Sequence, residues 1–274
     1  YGSLVNVFHR LAKIFSTVPR ELIKKYDLAK VKHADETGWR NDGKNGYAWL
    51  FATEQLSIYR FSDNRSAAIP DEIFGKARLP GVLVVDRYNA YNKMPCAIQY
   101  CYAHLLREIK DLEKELPDNL EIRAFVKCMA PLLAEAMSLR SSSIGKVEFK
   151  RQAARVKRKI IREIKKDAKH PGIRRIQDIF RTNAKRLYHW AKNRDVPADN
   201  NLAERELRPL VISRKLSFGS QSDAGAKTRE ILMTVLHSLK KKNPDPVVSF
   251  QNALDRLAVN PALDPFSLLF PDDT

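Results

Sequence analysis

The stretch GVLVVD, residues 81–86, constrains the fold of this chain more than any other feature. Residues 82–85 are all apolar and show no alternation with polar side chains. A strand with this pattern is covered on both faces, as the strands of parallel or mixed sheets are. The sequence therefore predicts an α/β core.

Three segments before this strand predict an antiparallel meander. They read VKHADETGWR, GYAWLFAT and LSIYRFS, and turn residues at 41–43 and 53–55 separate them. Short runs rich in aromatic and β-branched residues between such turns are typical of strands. A fifth strand is expected within residues 97–104, running into a helix that starts near His104. Helices predicted at 2–27 and 66–75 complete a mixed five-stranded sheet flanked by helices.

A long block without strand signals, residues 105–195, predicts an all-helical insertion in this core. It contains a heavily basic helix at about 146–169, and two helices with a core-like pattern follow Pro197. The predicted organisation is an N-terminal helical segment (1–28), the first part of the core (29–110), the basic helical insertion (111–195), the second part of the core (196–246) and a C-terminal tail (247–274).

The charge of the chain points to a polyanionic partner. Forty-nine Lys and Arg residues against 32 Asp and Glu give a net charge of +17 and a pI near 9.8. Nucleic acid is the commonest partner of such a chain, although ribosomal, membrane-surface and heparin-binding proteins share the signature. The three cysteines are few and odd in number, which favours reduced thiols in the cytosol. No apolar run approaches the length of a membrane span, so no membrane partner is expected.

Two aspartates, Asp35 and Asp86, each follow a predicted hydrophobic strand. Sites in open α/β sheets form where strand ends meet a crevice. If the two strands are neighbours, the carboxylates repel each other unless a cation lies between them, and Mg²⁺ or Mn²⁺ suits such oxygen ligands. Glu204 is the candidate third ligand, and Asn201 and Arg208 share its helix face.

Two nearby glutamates compete for the same roles. Glu36 adjoins Asp35 on a strand, so its side chain is expected on the opposite face of the sheet. Glu206 is rotated by about 200° from Glu204 around the helix. Both are therefore predicted to be structural or solvent-facing.

Four motifs occur in order: HADET, VVDRYNAY, CYAHLLR and NNLAERELRPLVISRK, with GSQSDAG after them. With these motifs the chain resembles the DDE transposases of the insertion sequence 66 family from about residue 30 to 246. The resemblance implies a ribonuclease-H-like core, interrupted by a helical insertion before the last catalytic helix. It also implies that Asp35, Asp86 and Glu204 form a catalytic triad holding Mg²⁺ or Mn²⁺, with two ions.

The implied activity is cleavage of transposon ends and strand transfer into target DNA. The implied partners are the terminal repeats, target DNA, accessory proteins of the same element and further copies of the chain, since paired-end chemistry needs at least two active sites. The expected location is the cytoplasm, at the nucleoid. Family members carry zinc-finger-like and helical segments upstream, and the first residue is Tyr1 rather than Met, so a trimmed chain is expected.

Two other functions fit the same residues. One is a ribonuclease-H-like nuclease or resolvase that uses the triad without joining strands. The other is a non-catalytic DNA-binding relic of a transposase, which three carboxylates kept in these contexts argue against.

Cys101 and His104 lie in the motif CYAHLLR and allow three interpretations. In the first interpretation, they form half of a zinc site, although the sequence offers no second pair of ligands. Alternatively, they pack beneath the site and position it, or His104 contacts the scissile phosphate.

Several basic and small residues are candidates for DNA contacts. The basic helix is either a solvated face or a phosphate-contacting surface. At the start of the last long helix, Ser222 or Asp223 is either simply the cap, or Gly225 in the first turn also lets a DNA phosphate approach the exposed N–H groups. Four residues either guide the DNA strand past Glu204 or pair with neighbouring acids: Arg205, Arg208, Arg214 and Lys215. The full set of candidates is Lys157, Arg158, Lys159, Arg205, Arg214, Lys215, Ser222 and Gly225.

Overall fold

The computed structural model describes residues 2–271, apart from the side chain of Ser3. Residue 1 of the predicted N-terminal segment and residues 272–274 of the predicted C-terminal tail lie outside the described residues. The strands are β1 (Val31–Asn41), β2 (Lys44–Ala52), β3 (Ser57–Ser62), β4 (Val82–Val85) and β5 (Ala97–Tyr100). The helices are α1 (Gly2–Ile14), α2 (Val18–Leu28), α3 (Ala68–Phe74), α4 (Tyr102–Glu115), α5 (Leu120–Ser138), α6 (Lys146–Ile164), α7 (Pro171–Thr182), α8 (Asn201–Ser217), α9 (Asp223–Lys242), α10 (Pro246–Val259) and α11 (Pro265–Leu269).

The strands form one five-stranded sheet in the order β3-β2-β1-β4-β5. The β1–β2 and β2–β3 pairs are antiparallel, and the β4–β5 pair is parallel. The predicted α/β fold with a mixed five-stranded sheet flanked by helices is confirmed, and it is consistent with a ribonuclease-H-like fold.

The turn between β1 and β2 follows from its sequence. Asp42 has φ 49° and Gly43 has φ 72°, both in the left-handed region. Two consecutive residues with positive φ form a type I′ turn, whose twist matches that of the two flanking strands. Asp-Gly is a preferred pair for this turn. The turn sets the register in which Asn41 pairs with Lys44 and Asp35 with Leu50.

Two predicted helices have different bounds in the structure. The helix predicted over residues 2–27 is two helices, because α1 ends at Ile14 and α2 begins at Val18. Pro19 lies in the first turn of α2, where its missing N–H costs nothing, whereas inside one long helix it would break a hydrogen bond. The basic helix ends at Ile164, five residues earlier than predicted.

One of two compact units contains β1, β2 and β3, and it comprises the residues up to Gly81, Asn89–Pro95 and the residues from Asn201. Helix α8 packs on one face of these strands. The shared hydrophobic cluster consists of Trp39, Ala48, Leu50, Ala52 and Tyr59 from the strands and Ala203, Leu207 and Leu210 from α8. The opposite face carries an aromatic group in which Phe74 lies 4.8 Å from Tyr26 and 4.7 Å from Phe51, measured between ring centroids.

The other unit contains β4, β5 and the helices α4 to α7, in residues 82–88 and 96–200. Tyr102 is fully buried between Phe180 and Trp190, with ring centroids 6.0 and 5.9 Å away. Gln99 is also buried, and its side-chain oxygen accepts from the backbone N–H of His189 at 2.8 Å. Gln99 thereby joins β5 to the segment after α7, which lies far away in the sequence.

Across residues 2–271, none of the helices combines the length and the apolar character needed to cross a membrane.

Candidate catalytic site and nucleic-acid interface

Asp35 lies in the middle of β1 and not at its end, so the prediction of a strand-end aspartate is wrong at this position. The strand continues because its pairing with β2 runs without interruption from His33–Ala52 to Asn41–Lys44. The side chain is half-buried, and its Oδ1 accepts from the backbone N–H of Glu36 at 3.0 Å. This bond holds the carboxylate close to its own strand.

The register of the hairpin defines the face on which Asp35 lies. Asp35 pairs with Leu50, and Trp39 lies four residues further along the same strand. Side chains alternate along a strand, and paired residues share a face. Leu50 and Trp39 both belong to the hydrophobic cluster under α8, so Asp35 lies on the α8 side of the sheet.

Glu36 lies on the opposite face, as predicted. Its side chain is 1% exposed and forms an ion pair with Arg65. The Tyr91 hydroxyl donates a hydrogen bond to the same carboxylate. Glu36 therefore has a structural role beside Trp49, its partner in the pairing of β1 and β2.

Asp86 directly follows β4, so the prediction of a strand-end aspartate is confirmed at this position. Its Oδ1 accepts from the backbone N–H of Tyr88 at 2.9 Å, which fixes the turn after the strand. The adjacent Arg87 is paired with Glu108 of α4. Within residues 2–271 we find no ion pair formed by Asp86.

Glu204 and Glu206 differ in their surroundings on α8. Glu204 is half-buried and follows Ala203, which packs in the cluster against the sheet. Glu206 accepts from the Ser57 hydroxyl at 3.0 Å and lies 3.3 Å from the Lys241 ammonium. Burial alone raises the pKa of Glu206, but a hydrogen bond from His237 and the charge of Lys241 lower it to about 2. Glu206 is thus a structural ion-pair partner.

Asn201 and Arg208 are exposed residues of α8, three residues before and four residues after Glu204. The helix runs without interruption from Asn201 to Ser217, so the three residues share one helix face, as expected from their spacing.

Cys101 is a buried packing residue at the start of α4. Its sulfur accepts from the backbone N–H of Asn200 at 3.2 Å, and its own N–H donates to Val85. Burial raises the pKa of the thiol to about 11, so the group is a neutral thiol near pH 7. These two hydrogen bonds fit the packing interpretation of Cys101.

His104 lies beside Arg107, whose guanidinium nitrogen is 3.1 Å from its Nε2. A guanidinium group only donates hydrogen bonds, so Nε2 is the acceptor in this contact. Arg107 is a residue that the motif alone did not single out, although its spacing from His104 is that of helical neighbours.

Some of the predicted DNA contacts have structural partners. Arg214 donates to the Thr37 hydroxyl at 3.2 Å and to the backbone oxygen of Gly38, so it fastens α8 to β1. The Ser222 hydroxyl accepts from the N–H of Gly225 at 3.1 Å, which is the predicted helix cap. Arg205 and Lys215 are exposed on α8.

Some Lys and Arg side chains of the basic helix α6 form ion pairs, and others do not. Arg151 is paired with Glu148, and Arg155 with Glu135. Lys157, Arg158 and Lys159 form no ion pair with any residue in the described range 2–271. These three cations therefore remain candidates for a phosphate-contacting surface.

The carboxylates that the sequence predicts as metal ligands have the donor type that a hard divalent cation takes. Asp35, Asp86 and Glu204 offer only oxygen donors, which is the ligand type that Mg²⁺ and Mn²⁺ take. Both aspartates are held by a backbone N–H through one carboxylate oxygen. In metal sites, hydrogen bonds of this kind orient the ligating carboxylates.

The polar groups of α8 and α9 that bind β3 were not predicted from the sequence. Glu230 of α9 is 9% exposed in its side chain and binds Arg60 at 3.2 Å and the backbone N–H of Phe61 at 3.1 Å. Glu206 and Lys241 form a second group. No local pattern marks them, because each partner comes from a distant segment of the chain.

Comparison with known proteins identifies relatives along most of the chain. The model of a family described as Transposase IS66 family matches residues 2–228. Three uncharacterized proteins of Sinorhizobium fredii are similar: y4qI is 24% identical (87% of this chain, 50% of that protein), y4jD 27% (73% and 42%) and y4hP 23% (91% and 52%). The chain spans about half the length of these curated relatives.

Proposed function

The chain belongs to the IS66 transposase family, and from this membership we propose that it is the catalytic region of a DNA transposase. The proposed reactions are cleavage of the transposon ends and their transfer to target DNA. The observation that carries the proposal is the family match itself, because residues 2–228 include Asp35, Asp86 and Glu204.

The proposed ligands of the divalent metal are Asp35, Asp86 and Glu204. Support for this assignment comes from the position of Asp35 on the sheet face that α8 covers, and from the structural engagement of the rivals Glu36 and Glu206. The chemistry that divalent ions supply when bound is activation of the attacking oxygen and stabilisation of the leaving oxygen in an in-line displacement.

The remaining residues position and contact the substrate in this proposal. Phosphoryl transfer depends mainly on positioning and charge stabilisation, so no serine, cysteine or tyrosine nucleophile is required. Cys101 packs beneath the site as a neutral thiol, and Arg107 orients His104. Asn201 and Arg208 flank Glu204, and the unpaired cations of α6 contact DNA phosphates.

Cleavage of a labelled transposon end in the presence of Mg²⁺ tests the proposal. We expect Asp35→Asn, Asp86→Asn and Glu204→Gln each to lower the cleavage rate by at least about a thousandfold, because each removes a metal ligand. DNA affinity and the melting temperature should stay close to those of the wild type.

Glu206→Gln is the matched control, since it removes a carboxylate from the same helix. It should keep most of the cleavage activity. Cleavage that survives Glu204→Gln but is lost in Glu206→Gln would contradict the assignment of the third ligand. Cleavage without joining of the products would instead indicate a nuclease or resolvase.

A further inference from the structure

A cavity of about 310 Å³ lies in the helical part of the chain, between α6 and the segment that follows α7. Its lining contains three lysines and neither aspartate nor glutamate. The lining residues are Lys157, Ile161, Ala184, Lys185, Tyr188, His189 and Lys192. A concave surface lined by charge of one sign concentrates ions of the opposite sign.

The three lysines carry uncompensated charge. Lys157, Lys185 and Lys192 form no ion pair with any residue in the described part of the chain, whereas three other cations of α6 are paired: Arg151, Arg155 and Arg162. Burial and the charge of Lys192 lower the pKa of His189, so its imidazole is neutral near pH 7. The positive charge of the cavity therefore comes from the lysines.

The cavity wall fixes one of these lysines. The Lys157 ammonium lies 5.1 Å from the centre of the Tyr188 ring, within the range of a cation–π interaction. Tyr188 is 6% exposed, and its hydroxyl has no hydrogen-bond partner among residues 2–271. The Tyr188 ring therefore holds the Lys157 ammonium at the cavity.

We infer that this cavity is a seat for one phosphate of a DNA backbone, shared by Lys157, Lys185 and Lys192. The inference rests on the proposed function for the identity of the polyanion. DNA is favoured over a free anion because Arg158, the next residue on α6, is exposed and forms no ion pair within residues 2–271. An extended strand can contact the cavity and Arg158 together, whereas a single small anion cannot.

The test uses the chain with Lys157→Gln, Lys185→Gln and Lys192→Gln combined. A matched control combines Lys110→Gln, Lys114→Gln and Lys127→Gln, which removes the same charge from α4 and α5 of the same unit, away from the cavity. Affinity for a labelled duplex of arbitrary sequence is measured by fluorescence anisotropy between about 50 and 200 mM salt. Melting temperatures establish that both variants are folded.

We expect the cavity variant to bind DNA about tenfold more weakly at low salt, since charge-assisted contacts to one phosphate are lost. The slope of log affinity against log salt should fall by about 0.9, the value for a single phosphate. The control variant should change affinity by less than about threefold and keep the slope of the wild type.

Three results would overturn the inference while leaving the proposed function standing. One is equal weakening of DNA binding in both variants, which would mean that only net charge matters. Another is a fall in slope of about 2.7, which would mean three separate phosphate contacts. The third is tight binding of inorganic phosphate to the wild type with DNA affinity unchanged in the cavity variant. A wild-type chain that binds no DNA would overturn the proposed function as well.

Discussion

At the scale of single residues, Glu204 and Glu206 show how surroundings separate two identical side chains on one helix. Glu206 lies against Ser57 and Lys241, with His237 Nδ1 at 3.9 Å, and these partners outweigh the effect of burial on its pKa. Glu204 lies on the other side of α8. The proposed division of roles, catalysis for one and ion pairing for the other, follows from this difference.

The ion pairing of Glu206 predicts a pH-dependent contribution to stability. Its pKa is lowered from 4.5 to about 2, so the stabilisation is complete above about pH 4.5 and is lost as the pH falls towards 2. Glu206→Gln should lower the free energy of unfolding by about 2 kcal/mol at pH 7. The difference from the wild type should shrink steadily below pH 4.5.

Urea denaturation at a series of pH values measures this difference. Glu21→Gln is the control, because Glu21 forms only an exposed pair with Lys24, worth less than about 1 kcal/mol. A difference for Glu206→Gln that is small at pH 7, or that grows on acidification, would be inconsistent with the ion-pair assignment.

The sequence alone predicted the opposed directions of Glu204 and Glu206, and of Asp35 and Glu36, because helix and strand periodicity are local. It did not predict the partners of Glu206, since Ser57 and Lys241 lie far away in the chain. The same holds for the cavity, in which Lys157 and Lys192 come from different segments.

At the scale of secondary-structure elements, the connection between α8 and α9 is fastened to the end of β1. The backbone N–H of Ser220 donates to the backbone oxygen of Arg40 at 2.9 Å, and the Trp39 indole N–H donates to the Ser220 hydroxyl at 3.1 Å. Gly219 has φ 125°, a conformation that L-residues rarely adopt. The turn thereby fixes where α9 begins relative to the strand.

Gly219→Ala should therefore destabilise the chain by about 2–3 kcal/mol. An added Cβ would lie 2.1 Å from the backbone oxygen of Arg40, so the turn must move. Thermal or urea unfolding measures the effect. In the control Gly38→Ala, the Cβ would meet only the Arg214 side chain at an ordinary 3.5 Å, and little change is expected. Equal stability of the two variants would contradict this account of the turn.

Strand predictions succeeded where the pattern was local. The meander and its Asp42-Gly43 turn were predictable from β-compatible runs and turn residues, and β4 from its unbroken apolar run. The segment predicted for the first strand, residues 31–40, agrees with β1, but a strand end at Asp35 does not, because β1 continues past Asp35 through its pairing with β2. The split between α1 and α2 was visible in principle from Pro19, but apolar periodicity concealed it.

At the scale of the whole molecule, the net charge of +17 is unevenly compensated. Arginines such as Arg60, Arg65 and Arg87 neutralise buried or half-buried carboxylates. On α6, by contrast, Lys157 and its neighbours Arg158 and Lys159 form no ion pair within residues 2–271. Part of the excess charge thus lies on the helix that is proposed to contact DNA.

The central claim is that three carboxylates from separate stretches of the chain hold one metal centre. Iron-directed backbone cleavage tests it most directly: Fe²⁺ replaces Mg²⁺, ascorbate and peroxide generate hydroxyl radicals at the bound ion, and mass spectrometry locates the cuts. We expect cuts beside Asp35, Asp86 and Glu204 together, suppressed by excess Mg²⁺ and absent in Asp35→Asn. Cuts at only one of these segments, or cuts that persist in Asp35→Asn, would contradict it.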